Sequence, residues 1–407
     1  MRAGPESYFH LSYCSNIHPG ESWAQVDETL RRYVPALAGR LAPNAPFGLG
    51  LRLSDDASRS LIEPSVLMAF YDWLQAENLY VFTLNGFPFG GFHRQVVKDT
   101  VYMPDWRTPD RVGYTVRLAH ILAGLLPEGI EGGISTSPLS YKPWLPDDAA
   151  RKDAFRTSTR HYASVAYALA EIEARTGRPI HLDIEPEPDC LIENTAETVL
   201  FFTDWLWTEG AAFLAGAYGL ATAEAEKLLR HHIRVCYDTC HFAVEYEEPG
   251  ASLQTFVDHG IGIGKIQVSA AIRVGLPDDA TARTRIADYL TAYAESTYLH
   301  QVIERRADGS LRHFDDLIYA LPHIHSPEAR EWRIHFHVPL FADRFGPLAS
   351  TRDNIEPTLR MMYEQQLCNH LEVETYTWEV LPAELKVDLG ASIERELQWT
   401  LGRWNRP

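Results

Sequence analysis

Short apolar or alternating runs recur along the chain, separated by longer amphipathic stretches. Period-two alternation predicts strands, and apolar positions spaced three and four apart predict helices. Strands are expected at residues 8–14, 47–53, 79–85, 132–136, 180–185, 235–238, 265–269 and 371–375. Helices are expected at 23–41, 61–76, 111–126, 154–176, 196–229 and 351–368. Eight strands alternating with helices predict an α/β protein of parallel βα units, a (β/α)₈ TIM barrel. Such a barrel takes about 250 residues, so a chain of 407 leaves room for long loop insertions. They are expected near 86–110, 137–153, 186–190 and 270–340, the last holding a short extra run at 333–338. No Pro/Gly/Ser linker marks a boundary, so residues 1–407 are expected to form a single domain. The competing fold, a doubly wound open sheet, favours a Gly-rich turn after its first strand. Here that turn reads Ser15-Asn16-Ile17-His18-Pro19-Gly20, which is no dinucleotide fingerprint.

A parallel strand covered on both faces should be apolar throughout. Several of these are not. Asp183 and Glu185 oppose Leu182 and Ile184, and Cys236 and Asp238 oppose Val235 and Tyr237. Lys265, Gln267 and Ser269 oppose Ile266 and Val268, and Glu372 and Glu374 oppose Leu371 and Val373. His335 aligns with His337 in the extra run. In a barrel the apolar set packs under the helices and the polar set points inward. A buried carboxylate without a partner costs several kcal/mol, so inward acids must meet cations, hydrogen bonds or metal. One such strand would carry little, because half-solvated antiparallel strands alternate the same way. Four or five, with their polar residues at the C-terminal ends, point to one shared site on the catalytic face of a barrel.

The sharpest local motif is Val235-Cys236-Tyr237-Asp238-Thr239-Cys240-His241. Asp238 closes a strand, and His241 follows three residues later where a loop or helix begins. A carboxylate and an imidazole so placed converge on one centre, and with Glu185 and Glu374 they suit Mn²⁺, Mg²⁺, Zn²⁺ or Fe²⁺. A capping Asp beside a surface His is the plain alternative. A Cys-based zinc site is disfavoured, since Cys236 and Cys240 have no second cysteine pair. His18, Arg52, Asn85 and His93 lie at or after the first three strand ends, where they could line a substrate pocket. Phe87, Phe89, Phe92 and Trp106 are candidates for an apolar lid. Lys265 points with Gln267, either to neutralise a phosphate or enediolate or to form a buried salt bridge with Asp238 or Glu185.

Composition narrows the class. The hydrophobic fraction of 45% and the charged fraction of 23% are ordinary for a soluble globular protein. No apolar run approaches the ~20 residues of a membrane span, and the N-terminus lacks the charged head and apolar core of a secretory signal. Five scattered cysteines read as reduced thiols in a cytoplasmic protein. A net charge of −18 argues against nucleic acid as a partner, while a small phosphorylated ligand stays open.

The segment VCYDTCHFAVEYEEP resembles the Asp-Thr-Cys-His strand end of the xylose-isomerase-like superfamily. That superfamily includes sugar isomerases and epimerases and the type IV apurinic endonucleases. More specifically, YCSNIHPGESW, PFGLGLRLS, LYVFTLNGFPFGGFH, VKDTVYMPDW, LDIEPEPDCLIENTAE, HFHVPLF and LEVETYTWEVLP resemble the EboE family of metabolite traffic proteins. These stretches run from residue 13 to 382. The resemblance implies a sugar-phosphate-isomerase-like barrel holding a divalent metal ion through Glu, Asp, His and Glu of the last four strands. Glu185, Asp238 and Glu374 match three of those positions, and Gln267 stands where the His is expected. His335 or His337 would supply the missing imidazole, as the endonucleases take a ligand from an Asp-x-His segment in a late loop. The alternative is that both histidines contact substrate or are hydrogen-bonded. The implied metal set is therefore Glu185, Asp238, Gln267, His337 and Glu374, with Glu185 and Glu374 as the proton-transfer pair. His18, Arg52, Asn85, His241, Lys265 and His335 are left to bind substrate. A three-zinc nuclease centre is not expected, because Asn85 and Ser135-Thr136 replace its strand-end histidines. The expected function is isomerisation or epimerisation of a sugar, a cyclitol or its phosphate. A non-catalytic metabolite-binding protein and a metal-dependent phosphoester hydrolase are the alternatives.

Overall fold

The alternating runs form eight parallel strands in a computed structural model that describes residues 1–382 and 386–403. They are β1 (Phe9–Tyr13), β2 (Phe47–Arg52), β3 (Leu79–Asn85), β4 (Gly132–Thr136), β5 (Ile180–Ile184), β6 (Ile233–Asp238), β7 (Ile263–Val268) and β8 (His370–Val373). Ladders join neighbours in the order β2-β3-β4-β5-β6-β7-β8-β1. The ring closes between β1 and β2 through one parallel bridge, Cys14 to Gly50. Beside that seam the short strand Arg2–Ala3 pairs antiparallel with β1, and the Met1 ammonium donates to the Leu11 carbonyl at 2.6 Å.

Helices cover the outside, and their ends follow local chemistry. Trp23–Leu41 starts at Ser22, whose capping box with Gln25 satisfies the first amides. The helix expected at 61–76 is two, Asp55–Leu61 and Pro64–Ala76, because Pro64 is tolerated only in a first turn. Asp148–Thr176 stops at Gly177, whose φ of 68° is left-handed. The helix expected at 196–229 is interrupted at Gly219, φ 73°, and resumes as Thr222–His232. The C-terminal helix Leu389–Leu401 was not expected from the sequence.

The insertion expected at 270–340 extends to 350. It folds as a six-stranded antiparallel sheet ordered Leu311–Phe314, Val302–Arg306, Ala329–Ile334, Ile272–Gly275, Leu348–Ser350, Arg344–Phe345. The extra run at 333–338 is split. Its start completes the strand Ala329–Ile334, and its remainder crosses back to the barrel, where the Val338 amide donates to the Ala270 carbonyl. Ile272, Val302 and Trp332 of this sheet belong to the same apolar cluster as Leu182 and Ile266 of the barrel.

The inward residues explain why the strands alternate. Barrel interiors are usually filled by branched aliphatic layers, but here a polar stack fills the axis. Lys265 Nζ donates to Glu372 Oε2 at 2.7 Å and to Ser135 Oγ at 3.0 Å, with both charged side chains fully buried. Gly50 makes room for Glu372: a Cβ there would lie 1.7 Å from Glu372 Oε1. Nearer the bottom, His181 Nδ1 and Asp183 Oδ1 are 2.6 Å apart.

The C-terminal helix carries another buried acid with a testable consequence. Glu396 accepts from Thr375 Oγ1 at 2.6 Å and from the Leu340 amide at 3.1 Å, and burial pushes its carboxyl up to about 7. A raised carboxyl binds its proton more tightly in the folded state. Its contribution is therefore full below the ordinary value of 4.5 and is lost as pH rises from there through about 7. Glu396→Gln is expected to unfold with a smaller pH dependence than the parent between pH 5 and 8, the difference reaching roughly 2–3 kcal/mol at the alkaline end. Denaturant midpoints at both pH values read this directly; parallel profiles would show that Glu396 does not titrate in that window.

Candidate metal centre and active site

The polar strand ends converge at the C-terminal mouth. Glu185 follows β5, its amide bonded to the Thr136 carbonyl. Asp238 closes β6 and caps the helix Thr239–Val244, Oδ1 accepting from the amides of Cys240 (2.7 Å) and His241 (3.0 Å) and from Ser269 Oγ (2.6 Å). The capping role is thus real for one oxygen, while Oδ2 is buried with no partner. Gln267 lies in register with Asp238 on one side and Glu372 on the other. Glu374 follows β8, and its Oε1 accepts from Asn16 Nδ2 at 2.7 Å and Asn85 Nδ2 at 2.8 Å.

Three imidazoles face these acids. His337 Nδ1 is 2.9 Å from the Glu374 carbonyl, His241 Nδ1 2.9 Å from the Pro186 carbonyl, and His335 Nδ1 2.8 Å from Gln301 Oε1. An oxygen acceptor at Nδ1 fixes the proton there and presents the Nε2 lone pair, the arrangement typical of metal-binding histidines. Two groups of donor atoms, from Asp238, His241 and His337 and from Glu187, His241 and His335, each lie within 4.8 Å of one another.

The donor set fits a divalent cation. Glu185 Oε2, Glu187 Oε2, Asp238 Oδ2, both amide atoms of Gln267, His335 Nε2 and His337 Nε2 are all buried with no hydrogen-bond partner. Each orphan costs about 1–3 kcal/mol, and nearly all are lone-pair atoms, which suit a cation or the hydroxyl groups of a ligand. Burial drives Glu185 well above the carboxylate range, with Glu374 and Asp238 adding to it. Burial raises Glu374 likewise, reinforced by Asp238 and Glu372 and opposed by Lys265. Glu187 is pushed up to about 7 by burial, partly offset by His241. Burial lowers His337 to about 4 and His335 well below its ordinary value, keeping both neutral, the form that ligates metal.

A cleft stands over the centre, lined by Asn85, Glu185, His241, His335 and Glu374 among the expected residues. Asn85 orients Glu374. The structure does not bring His18, Arg52 or Lys265 to it. His18 bonds Tyr13 Oη through Nε2 at 3.0 Å and shares a separate small pocket with Arg52. Arg52 Nη1 donates to Glu21 Oε2 at 2.8 Å and Nη2 to the Gly90 carbonyl. Lys265 lies deeper, bound to Glu372, and not to Asp238 or Glu185. Of the expected lid, Phe87 and Phe92 line the cleft. Phe89 packs on Tyr114, and Trp106 is stacked on Tyr162 in the core. Sequence reasoning passed over Asn16, Glu187, Tyr102, Tyr298 and Tyr376, which also line it. Glu187 carried a usable signal, the Glu185-Pro186-Glu187 repeat at period two. Tyr376 follows Glu374 at the same spacing, whereas Tyr102 and Tyr298 sit on loops remote in sequence from the strand ends.

No protein-family model matches the chain, and no curated protein matches it in sequence. Solved structures do. A xylose isomerase-like TIM barrel protein from Mycobacterium smegmatis in complex with magnesium is 11% identical, covering 97% of this chain and 96% of that one with a TM-score of 0.50. The IOLI protein with a binding zinc atom is 12% identical over 97% and 98% of the two chains, TM-score 0.48. A xylose isomerase domain containing protein from Salmonella typhimurium is 12% identical over 98% of each, TM-score 0.45. At this identity the first of these likenesses speaks to the fold alone, the xylose isomerase-like TIM barrel expected from the sequence. No helix among the described residues is long and apolar enough to cross a membrane.

Proposed function

We propose that this chain is a metal-dependent isomerase or epimerase of a sugar or cyclitol, working by proton transfer between Glu185 and Glu374. The observation that carries it is the set of buried, unpartnered donor atoms converging at the mouth. In this reading Asp238, His337, Gln267, Glu185 and Glu374 hold the divalent ion. Once bound, that ion supplies Lewis-acid stabilisation to an oxygen that gains negative charge. Burial raises both carboxyl groups above the ordinary range, the direction that suits an acid/base pair. Asn16 and Asn85 tether Oε1 of Glu374, which leaves Oε2 to meet a substrate C–H. We place the chain in the EboE group on the motifs quoted above, as one barrel domain with insertions. A cytoplasmic site agrees with its five free, buried thiols.

The test is solvent exchange. The protein supplied with Mn²⁺, Mg²⁺, Zn²⁺ or Fe²⁺ is incubated in D₂O with ketoses and keto-cyclitols. Deuterium is expected at the carbon beside the carbonyl, read by NMR; its absence from every compound removes the isomerase reading. One observation favours a second reading, a non-catalytic metabolite carrier: Gln267 offers a neutral amide where the superfamily epimerases place an imidazole. Metal analysis separates the two. A tightly bound ion is expected, with affinity at least about 100-fold weaker in Asp238→Asn and His337→Ala. A folded protein that binds none of the four ions is a carrier.

A further inference from the structure

The cleft over the proposed metal centre has an acidic floor and an aromatic roof, and no Lys or Arg among the described residues lining it is free. Resting on the isomerase reading, we infer that the substrate is an uncharged, unphosphorylated polyhydroxy compound that lays a C–H or other apolar face against the roof. Three carboxyl groups line the floor, Glu185, Glu187 and Glu374, each at most 6% exposed, with the buried Asp238 close by.

Among the described residues, the basic side chains at the cleft and the loop amides that barrels use for phosphate are already committed. Among the described residues lining the cleft, Lys98 is the one Lys or Arg. Its ammonium has three protons, and its three partners are the Glu295 carbonyl at 3.1 Å, the Tyr298 carbonyl at 2.6 Å and Asp316 Oδ2 at 2.6 Å. Arg52 lies behind Phe92, tied to Glu21 and to two backbone carbonyls. Arg94 is paired with Glu379 at 2.9 Å. Barrel enzymes often bind phosphate through amides of the loops after strands seven and eight. Here the Ser269 amide donates to Thr239 Oγ1 (3.0 Å), the Ala271 amide to Thr351 Oγ1 (2.8 Å) and the Glu374 amide to the Val268 carbonyl (3.1 Å). The helix N-terminus at Thr239 is capped by Asp238. A phosphate dianion would enter beside carboxyl groups and find these donors used, a desolvation cost without return.

The roof suits the opposite chemistry. Phe87, Phe92, Tyr102, Tyr298 and Tyr376 come from the loop after β3, a connection of the insertion before its strand Val302–Arg306, and the loop after β8. Aromatic faces take C–H faces by dispersion and area burial. The unpartnered acceptors Glu187 Oε2 and His335 Nε2 are matched to hydroxyl donors.

The experiment is calorimetric titration of the full, metal-loaded chain with matched pairs: myo-inositol and its 1-phosphate, D-fructose and its 6-phosphate, D-glucose and its 6-phosphate. The neutral member is expected to bind at least about 10-fold more tightly than its phosphate. Asp316→Asn, which releases Lys98, is expected to narrow that gap. Phosphates that bind as tightly as the neutral compounds, or more so, overturn the inference while deuterium exchange still supports the isomerase reading. Binding of neither member of any pair also overturns it. Loss of both binding and exchange brings down the isomerase reading itself.

Discussion

Glu374→Gln is expected to lower the rate of solvent exchange about 10²–10⁴-fold, the usual contribution of a positioned acid or base. The amide is nearly the same shape, and its oxygen still accepts from Asn16 and Asn85, so the mouth keeps its geometry. What is lost is the capacity to take a proton. The contrast with Asp238→Asn makes the experiment informative. Asp238 Oδ1 accepts three hydrogen bonds that an amide oxygen can also accept, and its Oδ2 is the atom offered to the ion. Asp238→Asn should therefore lose metal first and exchange as a consequence, whereas Glu374→Gln should lose exchange even at saturating metal. The readout is deuterium incorporation at a series of metal concentrations. A Glu374→Gln rate within about 10-fold of the parent at saturation would remove Glu374 from proton transfer.

Lys265→Met is expected to destabilise the fold by about 3–5 kcal/mol, because it strands the Glu372 charge in the barrel axis. Burial works against the Lys265 ammonium, yet Glu372 at 2.7 Å outweighs it and holds the ammonium above its ordinary range. Glu372 has nowhere else to turn, since its other oxygen sits against Gly50. Lys265→Met with Glu372→Gln removes both charges and is expected to recover most of the loss. Denaturant unfolding of parent, single and double variants forms the cycle that isolates the pair. A single variant that loses less than about 1 kcal/mol would mean that Glu372 carries no charge in the fold.

The legible part of the structure was local and periodic. Period-two alternation marks the faces of a strand, so the sequence alone identified eight barrel strands. It also identified Asp183, Asp238, Lys265, Gln267, Glu372 and Glu374 as inward residues. Strand ends then singled out Glu185, Asp238 and Glu374, which do meet at the mouth. Alternation carries no information on depth. Lys265 and Gln267 share a face two residues apart, about 6.6 Å along the strand, yet one is buried in an ion pair and the other faces the centre. Only register separates them: Gln267 lies beside Asp238, and Lys265 beside Cys236.

His18 and Arg52 show the same limit in the loops. Arg52 ends β2 and His18 lies in the turn after β1, but Glu21 and Tyr13 claim them away from the cleft. The inserted sheet pairs Ile272–Gly275 with Ala329–Ile334 and Leu348–Ser350, partners more than fifty residues apart that no local pattern announces. The connections of that insertion, with the loops after β3 and β8, supply the roof, and they commit Lys98 through Glu295, Tyr298 and Asp316. The chain's own pattern determined the barrel and its acidic mouth, because face alternation and strand ends are written in consecutive residues. Tertiary structure decided which of those groups are free, because a hydrogen-bond partner is brought from anywhere in the chain.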